Sequence, residues 1–285
     1  MATARTVTSG YRAGSGEPVL LLHGFTLSHH VWHAVVADLA RDYDVLALTM
    51  PGHWGGRRLR MRELGVGGIA DGIERDLDVL GWDTCHVVGN SLGGQVGFEL
   101  ERRGRARSLA AVNPGGGWTR FSWTEFRLGA GFVAQFPLAA AARVLGDRAA
   151  TSERFQRPII RNCSTDTAAV TAEDAANVLR AVSHCPVYLP IQWAFLRDGP
   201  LTDPALRRVT APTTVMLSEF DTFLTRKKCM QRLLDALPDH VEDVVLPGVG
   251  HIPMLENPAV VAQALRAHLT RVGDRIDDRP VTEHP

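Results

Sequence analysis

The chain has little cysteine. Four residues in 285 (Cys85, Cys163, Cys185, Cys229) lie far apart and form no Cys-x-x-Cys pair. A secreted chain would pair its cysteines in a recognisable framework, so this usage points to a reducing, cytoplasmic setting. Neither sign of charge is in excess. Lys plus Arg and Asp plus Glu stand at 31 each, which leaves no electrostatic footprint for DNA or RNA. The short run Arg57, Arg58, Arg60 and Arg62 reads as a solvated loop. No 18 consecutive apolar residues occur, so no membrane span is expected. Residues 1–16 are polar and lack the apolar core of a signal peptide. What remains is an ordinary globular balance, 45% hydrophobic and 22% charged.

An α/β rhythm runs through the first part of the chain. Residues 18–23 form an apolar run that reads as a buried strand. Ser28 precedes a helical pattern with Val31, Val35 and Leu39 on one face. Residues 43–49 read as a strand, 62–81 as a helix, 84–89 as a strand, 92–103 as a helix and 108–113 as a strand. Such alternation predicts a parallel sheet with helices on both faces. From 118 to 204 no run resembles a strand. Helix starts appear instead, with capping pairs Ser122/Glu125 and Thr171/Asp174. Strands at 213–218 and 241–246 then flank a helix at 225–237, and Asn257-Pro258 opens a last helix. The expected organisation is one sheet domain made of residues 1–117 and 206–273, a helical insertion at 118–205, and a disordered tail at 274–285.

Gly89-Asn90-Ser91-Leu92-Gly93 matches G-x-S-x-G, placed between an apolar strand and a helix. A serine on such a turn holds a strained backbone and an exposed hydroxyl, and the glycines leave room for the turn. The helix after it aims amides at the place where negative charge develops. The bland alternative, a tight turn with an idle serine, does not account for this context. His251, in Gly248-Val249-Gly250-His251, follows the last strand, where a glycine-rich loop can return a base over the sheet edge. Asp221 follows strand 213–218 and is placed to orient the imidazole, with Glu219 and Asp203 as competitors. The order Ser91, Asp221, His251 is that of sheet hydrolases. The amides of Phe25 and Leu92 are the expected oxyanion donors. His23 reads as a structural residue.

Two clusters receive bland readings. His29, His30 and His33 share a helix start, but no Cys or carboxylate completes a metal set, so no metal is expected. Gly65-Val66-Gly67-Gly68 follows no strand and is not a phosphate loop. No cofactor is expected.

Taken with Pro51-Gly52-His53, Gly94 and Glu256-Asn257-Pro258, these residues resemble the α/β-hydrolase superfamily over nearly the whole chain. The resemblance implies an α/β fold with an eight-stranded, mostly parallel sheet and a helical cap, formed by 118–205, over the serine. Four positions depart from the family pattern. Thr49 stands where an Asp is usual, Trp54 and Gly56 replace a Gly and a Ser, and Ser218 stands where Gly is frequent. Related haloalkane dehalogenases and epoxide hydrolases carry Asp at the nucleophile, so Ser91 favours acyl transfer: hydrolysis of an ester, lactone or thioester. Carbon–carbon hydrolases of ring-cleavage products share the elbow Gly-Asn-Ser-Leu-Gly-Gly and form the alternative. A non-catalytic ligand-binding member of the fold is a further one. Ten of nineteen aromatics fall in 118–205. The expected ligand is a small apolar molecule, with Trp54, Trp118, Trp123 and Trp193 as candidate pocket walls.

Overall fold

Val19, Leu20, Leu21 and Leu22 are wholly buried. A strand covered on both faces needs no polar side, which is why this run is continuously apolar. The computed structural model describes residues 10–161 and 164–277. Its strands are β1 (Gly10–Ala13), β2 (Glu17–Leu22), β3 (Tyr43–Leu48), β4 (Cys85–Asn90), β5 (Ala106–Val112), β6 (Thr213–Ser218) and β7 (Glu242–Leu246). They form one sheet in the order β1-β3-β2-β4-β5-β6-β7. β1 runs antiparallel to β3, and every other pairing is parallel. The sheet therefore has seven strands among the described residues, where eight were expected. The sequence reading also passed over β1. Its four residues, Gly-Tyr-Arg-Ala, sit at an exposed edge and carry no apolar run.

The helices α1 (His33–Leu39), α2 (Val66–Leu80) and α3 (Leu92–Arg102) alternate with the first strands. Ile69, Ile73 and Leu77 bury one face of α2, as their spacing predicts. Between β5 and β6 the described residues form six α-helices and no strand: α4 (Trp123–Leu145), α5 (Asp147–Ala150), α6 (Glu153–Ile160), α7 (Ala172–Ser183), α8 (Pro190–Asp198) and α9 (Asp203–Leu206). Two of them start where the capping pairs stand. Ser122 Oγ accepts the Glu125 amide at 3.2 Å, and Thr171 Oγ1 accepts the Asp174 amide at 3.1 Å. α10 (Gln231–Ala236), α11 (Pro253–Glu256) and α12 (Pro258–Asp277) complete the chain. α12 runs four residues into the tail expected to be disordered, and residues 278–285 lie outside the described set.

The expectation of no membrane span needs amending. By length and composition, α4 is apolar enough to cross a membrane. Its charged residues cluster near its two ends, and the run between, from Leu128 to Ala142, holds no charge. Cys85, Cys185 and Cys229 are free and buried, and Cys163 lies outside the described residues.

Candidate active site

Ser91 ends β4 and opens α3 with φ 54° and ψ −114°, a strained conformation for a residue with a side chain. Two glycines make the turn possible. A Cβ on Gly89 would run into the Gly93 carbonyl, and one on Gly93 into the carbonyls of Leu22 and His23. The turn lifts the Ser91 hydroxyl to 3.0 Å from His251 Nε2. His251 Nδ1 lies 2.7 Å from Asp221 Oδ2. An ionised carboxylate only accepts, so Nδ1 carries the hydrogen and Nε2 is left to accept from Ser91.

The acid is well held. Asp221 Oδ1 accepts the amides of Phe223 and Leu224, both at 2.8 Å. Burial works against its charge. The His251 charge, its hydrogen bond and the two amides outweigh burial and keep the carboxyl below its ordinary range. Both competitors are engaged elsewhere. Glu219 accepts the Gly248 amide at 3.0 Å, and Asp203 pairs with Arg232.

The amides of Phe25 and Leu92 donate to no other group among the described residues, and both residues line a cavity at Ser91. His23 braces the first of these loops. Its Nε2 accepts the Met50 amide at 2.9 Å, and its Nδ1 donates to the Gly24 carbonyl at 2.7 Å. Complete burial, then the neighbouring His53, push its pKa far down. Neutral His23 is thus a fixed strut beside Phe25.

Two cavities meet at the serine. One, about 560 Å³ including its open mouth, is lined by Gly24, Leu27, Ile159, Val182, Tyr188 and His251. The other, about 1130 Å³ including its open mouth, is lined by Leu92, Gln95, Trp118, Phe126, Leu128, Val133, Phe195 and Leu196. They share only Ser91, Phe25, Phe132 and Phe223. Phe132 packs edge-on to Phe25 at 4.9 Å and to Phe223 at 5.6 Å, forming an aromatic septum. Both cavities are mostly apolar, with few polar groups beside the serine.

Of the four candidate tryptophans, only Trp118 lines a cavity at the serine. Trp54 stacks on His30 at 5.9 Å and leans toward His184. Trp123 and Trp193 point into solvent. Composition located the aromatic segment but not which face of each helix turns inward. His29, His30 and His33 bring their ring nitrogens within 4.8 Å of one another. His29 Nδ1 is engaged by Thr49 Oγ1 at 2.8 Å and His30 Nδ1 by Ser28 Oγ at 2.9 Å. Burial, then the neighbouring rings, lower the His29 pKa to about 4. Thr49 and Trp54, two of the departures from the family pattern, both serve this cluster.

A model of the alpha/beta hydrolase family matches residues 19–264. The chain belongs to the α/β-hydrolase family. Among curated relatives, the epoxide hydrolase EphH of Mycobacterium tuberculosis is 37% identical over 201 residues, covering 70% of this chain and 93% of that protein. An esterase from Thermogutta terrifontis superposes with a TM-score of 0.72 at 23% identity, covering 93% of each chain. Naproxen esterase from Bacillus subtilis gives 0.71 at 20% identity, covering 91% of this chain and 86% of that one. These two structural likenesses concern the fold of the α/β hydrolase.

Proposed function

We propose that this α/β hydrolase is a serine hydrolase that cleaves a carboxylic ester, lactone or thioester of a small apolar substrate through an acyl-enzyme. The observation that carries the reading is the chain of contacts from Ser91 Oγ to His251 Nε2 at 3.0 Å and from His251 Nδ1 to Asp221 at 2.7 Å. In this scheme His251 takes the Ser91 proton as Oγ attacks the substrate carbonyl carbon. The amides of Phe25 and Leu92 hold the oxygen that becomes negative. Asp221 stabilises the imidazolium and fixes its tautomer. Collapse expels the alcohol or thiol, which leaves with the proton from His251. Water then gives a proton to His251 and attacks the acyl carbon, releasing the acid and restoring Ser91. Residues 118–205 act as the cap that covers the reacting carbonyl.

The nucleophile separates this reading from epoxide opening. A carboxylate that opens an epoxide leaves an ester, which water cleaves, whereas a serine would leave a stable ether. Carbon–carbon hydrolysis of a ring-cleavage dienone uses the same serine and stands as the second enzymatic reading. Ligand holding without turnover is the reading from outside catalysis. The test is a turnover screen with p-nitrophenyl esters of graded acyl length, thioesters, lactones and a dienone, alongside fluorophosphonate labelling. Multiple turnovers of esters and one label on Ser91 are expected. Stoichiometric binding of every substrate without product would overturn the proposal.

A further inference from the structure

The outer face of α4 is unusual for a helix that meets water. Trp123, Phe126, Val133, Pro137 and Val144 recur at steps of three and four, or sums of these, and all are exposed. Trp123 is 74% exposed and Val144 86%. On α8, whose Phe195 and Leu196 line the larger cavity together with Phe126 and Val133, Trp193 is 70% exposed. The helix is about 34 Å long at 1.5 Å per residue. Contiguous apolar surface of this extent marks an interaction site.

Its charges are mostly positive. Arg127, Arg143 and the nearby Arg148 are exposed and make no ion pair among the described residues. The only acid on α4, Glu125, accepts from the Trp118 indole and the Phe121 amide instead. Asp147 pairs with Arg180. The opposite side of α4 is docked on protein, with Leu128, Ala139 and Ala142 buried and the Tyr188 hydroxyl donating to the Phe132 carbonyl. A helix fixed on one side, apolar on the other and flanked by arginines without ion pairs suits the plane of a membrane surface.

We propose that this face of α4, together with Trp193, docks on an anionic phospholipid bilayer. A second copy of the chain fits it less well, because each α4 would offer the other's arginines only Glu125, which already holds the Trp118 indole and the Phe121 amide. The surface also adjoins the active site. Phe126, Val133 and Leu196 are exposed and also line the larger cavity that reaches Ser91. On the serine-hydrolase reading, on which this last step rests, an acyl chain passes from the bilayer to Ser91 without crossing water, and membrane lipids with ester bonds become the substrate class.

The test is flotation of the Ser91→Ala protein with vesicles of phosphatidylcholine, with and without phosphatidylglycerol, so that hydrolysis does not enter. Binding is expected to rise with phosphatidylglycerol, to fall with added salt and to shift tryptophan emission to the blue. Arg127→Ser should lower partitioning about fivefold. Trp123→Glu with Val144→Glu should abolish binding. In the Ser91 background the same pair should leave cleavage of a soluble short ester unchanged, which shows that the fold is kept. Absence of binding, equal binding to both vesicle types, or binding that survives the double substitution would overturn the proposal. A concentration-dependent dimer that the double substitution breaks, with no vesicle binding, would do the same in favour of a second copy. Vesicle binding without ester turnover would leave the docking surface standing and remove the hydrolase reading.

Discussion

Asn113 donates through Nδ2 to the His251 carbonyl at 3.0 Å, across 138 positions of chain. The same amide group donates to Ser218 Oγ at 2.8 Å, and Asn113 Oδ1 accepts the Ser218 amide at 2.8 Å. Asn113 holds φ 44°, a left-handed conformation that Asn tolerates better than most residues. One side chain past the end of β5 thus ties together the end of β6 and the His251 loop. Asn90 adds a second bond to the His251 carbonyl at 3.1 Å.

Replacing Asn113 with Ala should therefore cost both stability and rate. It strands the buried Ser218 amide, a penalty of about 1–3 kcal/mol, and takes from the His251 carbonyl one of its two side-chain donors. On the serine-hydrolase reading, ester hydrolysis should lose kcat more than KM, since this loop carries the proposed base and contributes few residues to the cavity walls. Denaturant unfolding and steady-state kinetics measure the two effects. A variant with lowered stability and unchanged kcat would mean that Asn113 serves the sheet alone.

The two acids near His251 should behave differently. Asp221→Asn should lower kcat by about a thousandfold or more with the fold intact, because Asn cannot stabilise the imidazolium. Glu219→Gln should be nearly neutral, since Glu219 only accepts the Gly248 amide. The reverse result would reassign the acid.

Acyl preference should follow the larger cavity. Each added methylene that it buries contributes up to about 0.8 kcal/mol, several-fold in kcat/KM, until it is full. Trp118→Ala should weaken this preference for longer chains, while Trp193→Ala should not change it, because Trp193 lies outside the cavity. A series of p-nitrophenyl esters measures both. A steady fall from acetate upward would refute the idea.

Acid should destabilise the fold before it protonates the carboxylates. Burial lowers the His53 pKa from 6.5 to about 4. Between those values the unfolded chain takes up a proton that the folded chain refuses. Stability is therefore complete above pH 6.5, declines as pH falls toward 4 and levels off below that. The loss from this group is about 3 kcal/mol. His23 acts in the same direction, and Asp221 adds its own loss at still lower pH, below 3.8. Denaturant titrations across this range should show the decline, and His53→Gln should make it shallower. Stability that stays level down to pH 4 would rule out a buried neutral His53.

Much of this was legible because it is local. The buried runs of β2 and β4 declare themselves by composition, and the Ser91 turn declares itself by its glycines and flanking elements. His251 follows from chain order and a glycine-rich loop. β1 escaped notice because edge pairing with β3 needs no apolar pattern. Asn113 and Asn90 escaped because their partners are more than a hundred residues distant in sequence or unmarked by any motif. Trp54, Trp123 and Trp193 were drawn to the pocket because they are aromatic. On a helix as apolar as α4, sequence periodicity does not separate the face toward the protein from the face toward its surroundings. The charges Glu125 and Arg127 interrupt the apolar run at its start, which hid the length of α4 from a count of consecutive residues.

The septum of Phe25, Phe132 and Phe223 has a bearing on how selectivity can change. Each half of a substrate held at Ser91 would answer to its own set of walls, and the two sets have only the septum and the serine in common. Ile159 and Val182 line one cavity, and Trp118 and Leu196 the other, so the free-energy effects of substitutions on the two sides should add. Preference for the acyl part and preference for the leaving group then become two independent dials, and a lineage can turn one without disturbing the other.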